Sequence, residues 1–138
     1  MDIAQLWIEQ GRTFRNTDMP HMASERYTAA ANLLRDSNEP QRLAHTIRHI
    51  ADIQWKANLF EESRANYAGA LAIYRGNPET GRLDLANTLR GYALLSESIR
   101  DIASAREMWT EARHLYSAVD VQAGVDEANR RLAAFHNL

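Results

Sequence analysis

The sequence contains no cysteine, only 6 glycines and 3 prolines, and a single lysine, Lys56, among its 16 basic residues. The absence of cysteine excludes disulfide bonds, thiol catalysis and thiolate metal sites. Tight turns depend on glycine and proline, so their scarcity argues against a sheet-rich fold and favours helices. No apolar run approaches the ~18 residues of a membrane span. Residues 1–7 lack the basic and apolar regions of a signal peptide, so we expect a cytoplasmic protein without a membrane contact.

The size and charge of the chain are those of one ordinary globular domain. It has 138 residues, of which 45% are hydrophobic and 25% charged, and a typical domain has about 150 residues. The formal net charge is −2, whereas a dedicated nucleic-acid-binding protein normally carries a basic excess. We therefore expect a single domain over residues 1–138 that has no nucleic-acid partner.

Two turn-forming segments, 35–40 and 75–81, lie about 40 residues apart, and this spacing indicates an internal repeat. A shift of 42 residues places LAHTIR (43–48) on LANTLR (85–90). Aromatic and small residues recur at shifts of 40 and 42, at Tyr27, Tyr67 and Trp109 and at Ala30, Ala70 and Ala112. Within each copy the apolar residues follow the 3.6-residue period of a helix. The chain therefore contains three copies of a helical pair.

These copies resemble the tetratricopeptide repeat, which carries large, small and aromatic residues at fixed positions of two antiparallel helices. The matching residues are Trp7, Gly11, Phe14, Ala23, Tyr27 and Ala30; Ile47, Ile50, Ala51, Ser63, Tyr67 and Ala70; and Leu89, Tyr92, Ala93, Ala105, Trp109 and Ala112. The copies exceed the usual 34 residues, and in this they are similar to those of kinesin light chains and bacterial regulatory arrays. The resemblance implies an all-α fold, a right-handed α-solenoid of three repeats at about 2–37, 42–77 and 84–118.

The periodicity predicts seven helices, six in the repeats and one after them. We expect Asp120 to be the N-cap of the last helix. This helix carries an apolar stripe of Val125, Ala128, Leu132 and Phe135, which indicates that it caps the third repeat. The predicted helices span residues 2–16, 21–35, 40–57, 60–75, 82–98, 102–117 and 121–136.

The sequence has no glycine-rich phosphate loop and none of the motifs of serine hydrolases or zinc proteases. We therefore predict a non-enzymatic protein that requires no cofactor. His45, His49 and Asp52 have a spacing that puts all three on one face of a helix, as a metal site would need. Because no fourth donor lies nearby in the sequence, we predict no metal and interpret the three as solvated or peptide-contacting residues. A metal-dependent site is the lesser alternative.

The resemblance also implies where a ligand would bind, because the first helices of such repeats line a groove that holds peptides. Many of the residues that project into this groove are cationic, so we predict an acidic peptide from a partner protein. The alternative function is a homo-oligomerisation module. The predicted peptide-binding residues are Arg12, Arg15, His45, Arg48, His49, Asp52, Trp55, Lys56, Asn87, Arg90 and Arg130.

Two of these predictions have plain alternatives. Arg48, Arg90 and Arg130 occupy the same turn of successive first helices and would form a ladder of positive charge. They would otherwise be solvated arginines in local ion pairs such as Arg48–Asp52, which stabilise a protein by only about 0.3–0.5 kcal/mol. Trp55 would pack against an apolar side chain of the ligand, or would simply cover the edge of its helix pair.

Members of this family that bind the C-terminal carboxylate of heat-shock chaperones use lysine, asparagine and arginine at five groove positions. This sequence has none of the matching residues there, so we do not expect that partner. The residues at those positions are Ile8, Arg12, His49, Asn87 and Gly91.

The register of the repeats predicts that Tyr67 and Trp109 fill equivalent gaps beside Ala51 and Ala93. Replacing Trp109 with Ala should lower the free energy of unfolding by about 3–5 kcal/mol, because the truncation removes buried contacts and leaves a cavity. Calorimetry would detect this loss as a lower melting temperature. An unchanged melting temperature would mean that the register of the third repeat is wrong.

Overall fold

The computed structural model describes residues 1–138, and it consists of helices and turns without any strand. Every predicted helix is present within two residues of its predicted bounds, so the all-α prediction is confirmed. No helix has the combination of length and apolar character that crossing a lipid bilayer requires. The helices are α1 (Ile3–Asn16), α2 (Pro20–Leu34), α3 (Pro40–Lys56), α4 (Phe60–Arg75), α5 (Arg82–Ser98), α6 (Ile102–Ala118) and α7 (Gln122–Ala134), followed by a 3₁₀ turn at Phe135–Asn137.

The chain forms two compact units, Met1–Asn77 and Pro78–Leu138. In the first unit α1 packs on α2, α2 on α3, and α3 on α4. In the second unit α5 packs on α6, and α6 packs on α7. Within each unit, helices that are consecutive in the sequence are therefore packed against each other, as the repeats predict. That residues 1–138 form one domain remains a prediction.

In the first unit, helices approach closely where small residues meet aromatic rings. Ala23, Ala51 and Ala70 have no exposed surface, and the rings of Tyr27 and Tyr67 are enclosed beside them. The hydroxyl of Ser63 on α4 donates a hydrogen bond of 2.8 Å to the carbonyl oxygen of Ala51 on α3. Such crossings need small side chains because two helix backbones cannot approach past large ones.

The second unit has the same arrangement around Trp109, whose side chain is 0% exposed. Trp109 packs in one buried cluster with Ala93, Ala105, Ala128 and Phe135. The predicted burial of Trp109 beside Ala93 is therefore confirmed. The cluster also confirms that α7 covers the third repeat, because Ala128 belongs to that helix. The position of Trp7 in the repeat pattern predicts a core residue, but Trp7 is only half-buried on α1, so this prediction is wrong.

Four turns end their helices through a non-glycine residue in the left-handed conformation, at Asp18, Asn58, Arg100 and Asp120, with φ between 58° and 65°. After each, the next backbone N–H donates to a carbonyl five residues earlier, as from Val121 to Tyr116 at 2.9 Å. This is the Schellman arrangement, which satisfies carbonyl groups at a helix end. The prediction that Asp120 caps α7 is therefore wrong: it closes α6, and Val121 stands at the N-cap of α7 without a side-chain hydrogen bond.

Two glycines in helices allow the packing to be tested with the same substitution. A β-carbon at Gly124 in α7 would overlap the ring of Tyr116, whereas one at Gly69 in α4 would have no neighbour within 4 Å. We expect Gly124→Ala to lower the free energy of unfolding in urea. Gly69→Ala should raise it by about 0.5–1 kcal/mol, because alanine loses less backbone entropy in a helix. A stabilising Gly124→Ala would contradict the packing of α7 against Tyr116.

Candidate functional site

The predicted peptide-binding residues fall into two groups, one in each unit. The ladder of Arg48, Arg90 and Arg130 draws on both units and stays a prediction. The first unit holds Arg12, Arg15, His45, Arg48, His49, Asp52, Trp55 and Lys56, and the second holds Asn87, Arg90 and Arg130.

In the first unit Arg15 joins α1 to α3. Its Nη1 donates a hydrogen bond of 2.7 Å to Nδ1 of His49, and its Nη2 lies 3.6 Å from a carboxylate oxygen of Asp52. The ring of Tyr27 on α2 stacks on His49, with ring centroids 5.2 Å apart and planes 9° from parallel. These contacts hold His49 between a cation and an aromatic ring. We call Arg15, His45, Arg48, His49 and Asp52 the α1–α3 network.

The hydrogen bonds of this network determine where His49 carries its proton. Burial, as the largest cause, lowers the pKa of His49 to about 3 together with His45 and the positive charges of Arg48, Arg15 and Arg12. The ring is therefore neutral at physiological pH. A guanidinium group can only donate, so Nδ1 of His49 accepts from Arg15 and the proton is on Nε2. That Nε2 donates to Nε2 of His45, which is 3.0 Å away.

The same reasoning extends to His45 and Arg48. Because Nε2 of His45 accepts a hydrogen bond, its Nδ1 carries the proton. Nη2 of Arg48 lies 3.4 Å from that Nδ1, so two donors face each other there and no hydrogen bond forms. Asp52 is engaged elsewhere, since it contacts Arg15 and accepts a hydrogen bond from the hydroxyl of Tyr67. The alternative ion pair Arg48–Asp52 is therefore not formed.

Tyr67 is a member of this site that sequence reasoning missed. Its ring was predicted to fill a gap between helices, and it does, but its hydroxyl also reaches Asp52. Burial raises the pKa of Tyr67, and the nearby Asp52 carboxylate raises it further, so the hydroxyl stays protonated and acts as a donor. The repeat pattern gives no sign of this contact, because the equivalent Trp109 has no hydroxyl and donates its indole N–H to Glu97.

A small cleft of about 240 Å³ adjoins the network at the C-terminal ends of α1 and α3. Arg15 and Lys56 contribute positive charge to it, Asp18 contributes a carboxylate, and Ile53 contributes apolar surface. Arg12 is exposed on α1 and Trp55 is half-buried on α3. Around the α1–α3 network, four cations thus accompany two carboxylates. The cations are Arg12, Arg15, Arg48 and Lys56, and the carboxylates are Asp18 and Asp52.

The second unit has a cleft of about 500 Å³ lined by Asn87, Arg90 and Arg130. Arg90 donates from Nε and Nη2 to the two carboxylate oxygens of Glu127, at 2.5 and 3.0 Å. The hydroxyl of Tyr116 donates to Oδ1 of Asn87 at 2.6 Å. Arg90 therefore already has a carboxylate partner. Sequence reasoning missed Glu127, because the contact depends on how α5 and α7 lie side by side.

The metal-site alternative has no geometric support in the first unit. Nδ1 of His49 and the carboxylate of Asp52 both turn to Arg15, which repels a cation. No group of three His, Asp or Glu side chains is arranged to hold a metal ion.

The state of His49 makes the stability of the protein depend on pH. Its pKa is about 3 in the folded protein but near 6.5 in the unfolded chain. Below about pH 6.5 the unfolded chain binds a proton that the folded protein does not, so stability falls by up to about 1.4 kcal/mol per pH unit. Urea unfolding at about pH 7 and about pH 5 would measure this loss. It should be smaller in His49→Gln.

The exposed His21 on α2 provides the matched control. The His21→Gln variant should lose as much stability on acidification as the wild type does. If His49→Gln lost as much as well, the neutral state of His49 would be contradicted.

Comparison with known proteins supports the fold. No protein-family model matches the chain, and no curated protein matches it in sequence. Among solved structures, the chain is similar to BtubC (BKLC) from P. vanneervenii, a kinesin light chain-like protein, with a TM-score of 0.73 and 17% sequence identity. The match covers 98% of this chain and 65% of that one. At this identity the likeness concerns the fold alone, and it supports a helical repeat fold of the tetratricopeptide kind.

Proposed function

We propose that this chain is a non-enzymatic helical-repeat protein that binds an acidic segment of a partner protein through the first unit. The binding surface consists of the α1–α3 network together with Arg12, Trp55 and Lys56. The likeness to a repeat protein supports an interaction role. The observation that carries the acidic ligand is the surplus of cations around the network.

Four cations stand against two carboxylates, which leaves an excess of two positive charges. One of the two carboxylates, that of Asp52, is already held by Arg15 and Tyr67, so it neutralises little of the remaining charge. The chain as a whole has a net charge of −2, so the compensating negative charge lies elsewhere. A positive face on a negative protein attracts acidic ligands and repels basic ones.

Trp55 gives this surface an apolar component. It precedes Lys56 on α3 and is half-buried, so part of its ring faces solvent. Tryptophan and arginine are the residues most often found where binding energy is concentrated. In the second unit, Arg130 is the better candidate contact, because Arg90 is engaged with Glu127 and Asn87 already accepts a hydrogen bond from Tyr116.

A selection from random displayed peptides tests the proposal. We expect the selected peptides to be enriched in Asp and Glu. The best of them, made synthetically with a fluorescent label, should bind less tightly as the salt concentration rises. The Arg12→Glu/Lys56→Glu variant should bind it at least about tenfold more weakly, because both exposed cations would become like charges.

The matched control is Arg26→Glu/Arg35→Glu, which makes the same change of charge at exposed positions in and after α2. It should bind the peptide with an affinity within about twofold of the wild type. The proposal fails if the selected peptides have no acidic excess, or if the control weakens binding as much as the Arg12/Lys56 variant does.

The alternative of a homo-oligomerisation module would use apolar side chains exposed on α1 and α2. Light scattering separates the two functions, because the proposal expects a monomer that binds peptide. A stable dimer that binds no peptide would favour the alternative. The exposed side chains are Ile3, Leu6, Met22 and Leu33.

A further inference from the structure

Arg48 is enclosed in the first unit without an acceptor for its hydrogen-bond donors. Its side chain and backbone together are only 8% exposed. Nε and Nη1 are both buried and have no hydrogen-bond partner. The remaining nitrogen, Nη2, lies 3.4 Å from Nδ1 of His45. That Nδ1 carries a proton, so it is a donor as well. The guanidinium is therefore buried, charged and unpaired.

The neighbouring groups cannot supply the missing acceptor. Nε2 of His45 already accepts a hydrogen bond from His49. Nδ1 of His49 already accepts one from Arg15. Asp52 lies one turn further along α3 but is held by Arg15 and Tyr67. To pair with Arg48, the network would have to give up one of these hydrogen bonds.

An unpaired charge in this position destabilises a folded protein. A buried guanidinium loses its hydration, and here no ion pair or hydrogen bond compensates for that loss. Replacing buried charged groups with apolar residues of similar volume is often neutral or stabilising. We therefore expect Arg48 to lower the stability of the first unit rather than to raise it.

We infer that Arg48 is an anion-binding residue that pairs with a single carboxylate of the ligand. The inference rests on the proposed function and names the group that the acidic segment must present. Because Arg48 as a whole residue is only 8% exposed, only a small group can approach it, such as the end of an Asp or Glu side chain. A carboxylate is complementary to arginine because it carries the opposite charge and offers only acceptors. Binding of the ligand thus supplies the hydrogen-bond acceptor that Arg48 lacks in the folded protein.

Arg48→Met tests this inference through two readouts that should move in opposite directions. Methionine has a similar length and no charge, so the melting temperature should rise by a few degrees. The affinity for the selected acidic peptide should fall at least about tenfold. Arg26→Met, at an exposed position of α2, should change neither quantity. A less stable or unfolded Arg48→Met would show that Arg48 is structural and would overturn the inference.

Sodium acetate is the probe for the carboxylate itself. At constant ionic strength and pH, acetate should raise the melting temperature of the wild type relative to chloride, and should not do so in Arg48→Met. An absent acetate effect overturns the inference. An effect of inorganic phosphate without one of acetate overturns the carboxylate assignment.

The outcomes separate this inference from the proposed function. If Arg48→Met binds the acidic peptide as tightly as the wild type does, the role of Arg48 is overturned and the proposed function stands. If acetate acts through Arg48 but no acidic peptide is selected, the proposed function fails and the anion site stands.

Discussion

The close approach of paired helices is the constraint on which the rest of the structure depends. At each crossing an aromatic ring lies against a small residue on the neighbouring helix, so the two must match in size. A β-carbon at Gly11 would stand 3.1 Å from the ring of Tyr27, and one at Gly124 would overlap the ring of Tyr116. These crossings bring α1 beside α3, and this position allows Arg15 to reach His49 and Asp52.

In the first unit, the aromatic side chains that pack in the core also contact the polar groups of the network. Tyr27 is buried in a crossing against Gly11, and its ring also stacks on His49. Tyr67 fills the next crossing, and its hydroxyl holds Asp52. The α1–α3 network is therefore positioned by core residues rather than by loops. Because the aromatic residues are fixed by packing, the hydrogen bonds they direct are fixed as well.

The helices and their register could be predicted from the sequence because both depend on periodic spacing. Trp109 could be assigned to the core from its alignment with Tyr67 alone. The prediction for Asp120 was wrong because an aspartate is common both at a helix N-cap and in a left-handed turn. The hydrogen bond from Val121 to Tyr116 distinguishes the two, and the sequence does not reveal it. The enclosure of Arg48 could not be predicted either, since it depends on how neighbouring side chains use their donors and acceptors.

The distribution of the three tryptophans gives the protein a built-in optical readout. Trp109 is the only tryptophan of the second unit, and Trp7 and Trp55 both belong to the first. The indole of Trp109 is fully buried, and its N–H donates a hydrogen bond to Glu97. The indoles of Trp7 and Trp55 are half-buried. Emission from a sealed indole lies at shorter wavelength and resists soluble quenchers. The unfolding of each unit can therefore be followed separately by the native fluorescence of the chain, without an added label.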